Sequence, residues 1–205
     1  QNKALELSLF LSLPATLALL IASEEITSSL FGYGSFNDLS VKNSANALFY
    51  FALGLPAFSF IKIFSSFLFA RHNTKIPFYF SVISVIINII ISIYYFNKIG
   101  FIIIPMATTI SSWLNAILLL IFLTNKKYYS INSIFLYSLI KISLSTAITS
   151  YIFYNLINFF SDNLSYNSEY KLVSIILLVI VTFIIYILTS ILTKAFKISD
   201  IKLKY

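Results

Sequence analysis

Few residues in this chain can do chemistry, and the most informative is a lysine. Lys62 stands inside a long apolar run, nine residues before Arg71. At ~1.5 Å of helix rise per residue it lies roughly 13 Å from the basic turn that ends the run. Its own stretch holds no Asp or Glu to neutralise it. An ammonium at that depth is expensive in hydrocarbon and usually faces a cavity or a partner. Its chemistry would be attraction for an anion. Two readings stay open: an inward-facing, working cation, or a long stem that snorkels to the headgroups. For Lys141, some seven residues into another apolar run, and Glu6, in the first turn of the first run, reaching an interface is the simpler account.

The remaining candidates are weaker. The chain has no cysteine and one histidine, His72, beside Arg71 in a polar turn. No paired-His metal motif, P-loop or nucleophile elbow is present, so the pattern argues against an enzyme. Gly32-Tyr33-Gly34 reads as a turn, with Asn37 to Ser40 offering N-cap chemistry to the helix that follows. Small polar groups gather in two neighbouring apolar runs: Asn88 and Ser92, four apart on one face, then Thr108, Thr109, Ser111, Ser112 and Asn115. They can be glue between helices or a hydrated, oxygen-lined path. Gly54-Leu55-Pro56 interrupts the run that carries Lys62, and Pro56 should kink it. Pro14 and Pro105 are expected to break two other runs in the same way.

Composition says what positions these residues. Of 205 residues, 59% are hydrophobic and 10% charged, with mean hydropathy +0.92; a soluble chain has about 25% charged residues. This is an integral membrane protein, and the net charge of +7 does not make it a nucleic-acid binder. Six stretches reach the roughly 20 apolar residues a bilayer crossing needs: Ala4–Ser23, Ala45–Ala70, Pro77–Phe96, Ile99–Leu123, Ile134–Phe160 and Leu172–Thr193. Their unbroken apolarity predicts helices, not barrel strands. Between spans, Lys3, Arg71, Lys75, Lys126, Lys127 and the tail lysines fall on one side, and Lys42, Lys98 and Lys171 on the other. The positive-inside rule places both termini in the cytoplasm. Met106 is the one methionine, so a fragment or processed product is expected.

Several motifs together resemble one family. Leu53-Gly54-Leu55-Pro56-Ala57-Phe58, Lys62-Ile63 and Phe69-Ala70-Arg71-His72-Asn73-Thr74-Lys75-Ile76-Pro77 are similar, in order and spacing, to the C-terminal lobe of MurJ/MviN lipid II flippases. Leu30-Phe31-Gly32-Tyr33-Gly34-Ser35-Phe36 and Ala107-Thr108-Thr109-Ile110-Ser111-Ser112-Trp113-Leu114-Asn115 extend the likeness. The resemblance implies an all-α membrane fold: six transmembrane helices forming the C-terminal part of a 14-helix exporter of the multidrug/oligosaccharidyl-lipid/polysaccharide superfamily. Residues 1–124 would be four helices of the second lobe, and 125–205 two extra spans with a basic tail. It implies a bacterial inner-membrane transporter that flips lipid II, the lipid-linked peptidoglycan precursor, with membrane lipids and the missing N-terminal lobe as partners. Lys62, Arg71, Pro56 and Asn115 would line the substrate cavity, and Lys141 a lipid-tail groove. No cofactor is expected beyond sodium coupling, for which Asn88 and Thr108 fit the family's polar positions; Ser92 stands where an acidic ligand is expected. The alternatives are another lipid-linked oligosaccharide or drug exporter of the same superfamily, or a non-transporting membrane scaffold.

Overall fold

The structure, a computed structural model, describes residues 2–130 and 132–195. Every regular element among these is helical. Span one is α1, Asn2–Ile21, followed by a short helix α2, Ser23–Phe31. Span two consists of α3, Asp38–Ala52, and α4, Leu55–Ala70, bent by 42° at the break between them. Then come α5, Lys75–Ile99, a 3-10 turn at Gly100–Ile102, and α6, Ile103–Asn125. The last described elements are α7, Ser133–Phe159, the single turn α8, Ser161–Leu164, and α9, Lys171–Leu192. The tail lysines Lys197, Lys202 and Lys204 lie outside the described residues.

Lys75–Asn125 is a 51-residue apolar stretch, far too long for one crossing of a ~30 Å hydrocarbon core. It doubles back at Gly100, whose φ of +77° suits a residue without a Cβ. Contacts spread evenly from that pivot: Asn88 meets Thr108, Ser81 meets Asn115, and Phe80 meets Phe122. α5 and α6 are therefore two antiparallel passes.

Two of the three expected proline breaks are absent. Pro14 sits inside an uninterrupted α1. Pro105 is the third residue of α6, within the first turn, where a helix needs no amide donor. Only the Gly54–Pro56 stretch divides a span, with Pro56 in the first turn of α4.

The helix ends follow local chemistry. Asn37 Oδ1 accepts the Ser40 amide at 2.9 Å and caps α3; Asn73 Oδ1 accepts the Ile76 amide at the start of α5. α4, α6 and α9 all stop on one device. His72, Lys127 and Lys194 take left-handed φ values of 57°, 56° and 56°, and the next amides reach back to Leu68, Leu123 and Ser190. Glycine is the usual residue there. A side chain costs some backbone strain there, but at Lys127 and Lys194 its charge favours the negative end of the helix.

The described residues fall into two compact units whose boundaries cut α1, α3 and α7: 2–12 with 47–130 and 132–135, and 13–46 with 136–195. In the first, α4 buries Ala57, Phe64 and Leu68, and α6 buries Ala107, Ala116, Leu119 and Leu123. Small residues allow the close approach that membrane helices use in place of a hydrophobic drive. In the second, Ala22, Phe153, Ile157, Leu164, Ile175 and Leu178 form the core.

Candidate functional site

The break in span two frees backbone carbonyls, and α6 supplies their donors. The Gly54 amide turns to Phe51 instead of Tyr50. The Thr109 hydroxyl then donates to the Tyr50 carbonyl at 2.6 Å, and the Trp113 indole to the Leu53 carbonyl at 3.0 Å. Thr109 and Trp113 are four apart, so one face of α6 staples the break. A Cβ on Gly54 would come within 3.1 Å of the Thr109 hydroxyl, which explains the glycine. Irregular backbone at membrane depth needs such partners.

Beyond the break, α4 has two unlike faces. Ala57, Phe64 and Leu68 are buried, whereas Lys62, Ser66 and Phe69 are exposed. No described residue pairs with the Lys62 ammonium. Arg71, also exposed, closes α4 with its guanidinium 4.7 Å from the Phe67 ring and 4.2 Å from the Tyr128 ring. It thereby ties the turn after α4 to the turn after α6. Pro56 and Asn115 are both buried. A cleft of about 590 Å³ runs between the end of α4 and the start of α5, lined by Ser65, Phe69, Thr74, Lys75, Pro77 and Ser81 among others; Lys62 is not part of that lining. His72 is an exposed turn residue. Nearby, Tyr129 is buried, and this pushes its phenol pKa up, with the Glu6 carboxylate adding to the rise.

The hairpin of α5 and α6 holds a polar seam. Asn88 Nδ2 donates to Thr108 Oγ1 at 3.0 Å and toward Ser111 at 3.4 Å, while Ser92 donates to Asn88 Oδ1 at 3.5 Å. Asn115 Nδ2 reaches Ser81 at 3.5 Å. The sequence-predicted pair is thus together. Yet a sodium ion needs oxygens, preferably charged ones, and Asn88 turns a donor toward Thr108, whose own hydroxyl donates to the Ile104 carbonyl. The described residues contain no cluster of three His, Cys, Asp or Glu. The donor set fits a hairpin fastener and fits a sodium ion poorly.

Lys141, half-buried on α7, lays its ammonium 4.8 Å from the Tyr137 ring one turn earlier, so its stem runs back toward the start of α7. Farther along, α7 and α9 meet through hydroxyls: Ser145 with Thr193 at 2.6 Å and Thr149 with Thr189 at 3.2 Å. Sequence reasoning missed this ladder because single Ser and Thr residues in apolar runs carry no directional signal.

It also missed Lys171, taken for a solvated loop charge. Lys171 is 2% exposed. Its ammonium donates to the Gly32 carbonyl at 2.6 Å and the Tyr166 carbonyl at 2.7 Å, and sits 4.3 and 4.7 Å from the Tyr33 and Tyr166 ring centroids. No described carboxylate pairs with it. Glu25, on α2, has its carboxyl pushed up chiefly by burial, with Glu24 adding to the rise against an opposing backbone hydrogen bond. The one available signal was the pair Tyr33 and Tyr166 flanking two long connections.

Successive apolar helices, with a span broken around side-chain donors and a cation beyond it that no described residue pairs, define an integral membrane protein. Comparison with known proteins gives the family. The profile described as "Lipid II flippase MurJ" matches residues 1–175, and the chain belongs to that family, one of flippases and not of enzymes. A probable lipid II flippase MurJ of Rhizobium meliloti (strain 1021) is 40% identical over 119 residues, 58% of this chain and 22% of the relative. One from Thermotoga maritima is 32% identical over 194 residues, 95% of this chain and 37% of the relative. A solved structure of "Lipid II flippase MurJ, inward closed conformation" superposes with a TM-score of 0.74 at 27% identity, covering 94% of this chain and 38% of that one. The chain therefore spans between about a fifth and two-fifths of the length of these relatives.

Proposed function

We propose that this chain is the C-terminal portion of a flippase that carries lipid II across the bacterial inner membrane by alternating access. In this reading α1 to α6 complete a second lobe, α7 and α9 form an added pair beside a lipid-tail groove near Lys141, and both termini are cytoplasmic. The observation that carries it is Lys62: a cation inside a span, without a carboxylate partner, on the face of α4 left open while the opposite face is buried. A pyrophosphate-linked headgroup is anionic, and such a cation lowers the cost of bringing it through a low-dielectric layer. The remaining lobe would complete the cavity onto which the exposed Lys62 and Arg71 are proposed to open; Pro56 and Asn115, both buried, would serve it only by shaping α4 and α6. Rocking of one lobe against the other would move that cavity between faces of the membrane.

The test is complementation of a flippase-depleted strain by the full-length protein carrying Lys62→Ala. Growth should be lost while membrane abundance is kept. Normal growth would reduce Lys62 to a snorkelling residue and remove the main support for this reading. For sodium the proposal is a weak site at most, because Asn88 and Thr108 offer neutral groups. Replacing Na+ with K+ should leave lipid II flipping unchanged in reconstituted vesicles; a sharp fall would restore the ion.

A further inference from the structure

The most heavily invested cation in the molecule plays no part in that proposal. Lys171 opens α9, where the helix dipole disfavours a positive charge. It is also 2% exposed, and burying an ammonium is costly unless its donors are satisfied. A methionine of similar shape would fill the same space without either penalty.

Everything around the ammonium is arranged to offset them. Gly32 has φ −72° and ψ 59°, and the Tyr33 amide donates to the Phe31 carbonyl at 2.7 Å; together these define an inverse γ-turn. The turn leaves the Gly32 carbonyl free to accept from Lys171. It is so tight that a Cβ on Gly32 would lie 2.5 Å from the Ser28 carbonyl oxygen. The Tyr33 and Tyr166 rings provide two π faces within cation–π range. Each phenol is anchored in turn, Tyr33 to the Ser29 carbonyl and Tyr166 to the Phe36 carbonyl, both at 2.9 Å. Ser29 donates to the Lys171 carbonyl at 3.2 Å. Every contact joins the loop after α2 to the loop before α9, or braces a group that does.

We propose that the Lys171 ammonium, held between the Tyr33 and Tyr166 rings and donating to the Gly32 and Tyr166 carbonyls, is a clasp that fastens the start of α9 to the loop after α2, so that α2 and α9 move as one body. Lys171 is a positioning residue: it fixes where the last helix begins and touches no cargo. Its effect on transport, unlike the clasp itself, rests on the flippase reading.

The chain has no cysteine, so one reporter placed in it can read the clasp once any cysteine elsewhere in the full-length protein is replaced. Ser29 is fully buried at this contact. The Ser29→Cys reporter is placed in the full-length protein, in membrane fragments, and its rate of labelling by a water-soluble maleimide is measured. With Lys171 in place labelling should be slow. Adding Lys171→Met should speed it by roughly tenfold or more, as expected when hydrogen bonds to a charged group are lost and local opening becomes easier. Lys171→Arg, which can stack on the same rings and donate to the same carbonyls, should restore protection. Tyr166→Leu should accelerate labelling as Lys171→Met does, and serves if the Met variant fails to accumulate. Unchanged protection in Lys171→Met, or equal rates for Met and Arg, would overturn the clasp. Flipping by the same variants reads the consequence: Met should slow it and Arg should not, and normal flipping with a freely labelled reporter would remove the positioning role. A full-length protein that flips nothing even with Lys171 intact sinks the transport reading and leaves the labelling result standing.

Discussion

Lys62 and Lys171 are two answers to the same cost. Lys62 lies within an apolar helix, exposed and without a described partner, on the open face of α4. Lys171 lies at a helix start between two loops, buried and satisfied by carbonyls and rings. Position along the chain suggests the reverse, with the loop cation in water and the span cation enclosed. The difference teaches where to look for each role. A cation surrounded by its own chain's donors and π faces is committed to structure, whereas one left without partners by its own segment is available for something that arrives from outside.

The sharpest break in that contrast is functional. Lys62→Ala should abolish complementation with little loss of thermal stability, and Lys62→Arg should retain part of it, because the charge survives with altered geometry. Gly32→Ala should do the opposite. Its Cβ would press on the Ser28 carbonyl oxygen at 2.5 Å, and overpacking of that kind costs about 1–3 kcal/mol. A lowered melting temperature with accelerated labelling at Ser29→Cys is expected. If Gly32→Ala melts like its parent while Lys62→Ala unfolds, the assignment of the two lysines is inverted.

Much of the architecture was legible for a simple reason. Lipid forces each span to satisfy its own backbone, so apolar length alone locates the helices, and each of the six runs falls on helix among the described residues. The Gly54–Pro56 break was legible too, since proline lacks an amide donor. Pro105 was misread because at the third residue of α6 a proline deprives no carbonyl, whereas Pro14 stands inside α1 and the helix runs on through it. What stayed hidden needed partners distant in sequence. Trp113 and Leu53 are 60 residues apart, and Lys171 and Gly32 are 139 apart. Local pattern carries no register between such positions, so the staple and the clasp could not be read from it.

Two smaller effects sharpen the picture of span two and its neighbours. Trp113→Phe keeps the ring that meets Phe60 at 6.2 Å but removes the donor to Leu53. A loss of about 1 kcal/mol is expected from the unpaired carbonyl, read as a lower unfolding midpoint. Asn88→Leu should cost less, about 0.6 kcal/mol, the usual worth of a polar contact between membrane helices. An Asn88→Leu variant that keeps its fold but loses flipping would return the seam from fastening to function.

The smallest effect concerns a buried phenol in the turn after α6. Tyr129 is 7% exposed, and its phenol is pushed above its ordinary value first by burial and then by Glu6. A raised folded-state value means that its contribution to stability is complete below the unfolded pKa, near 10, and is lost as pH rises through the folded value. Melting of the parent should therefore fall faster between about pH 9 and 11 than melting of Tyr129→Phe, which has no proton to lose. Glu6→Gln should shrink the gap without closing it, because burial is the larger cause. Parallel curves for the parent and Tyr129→Phe would show that water reaches the phenol, and the turn after α6 would then be looser than its ring contact with Phe64 requires.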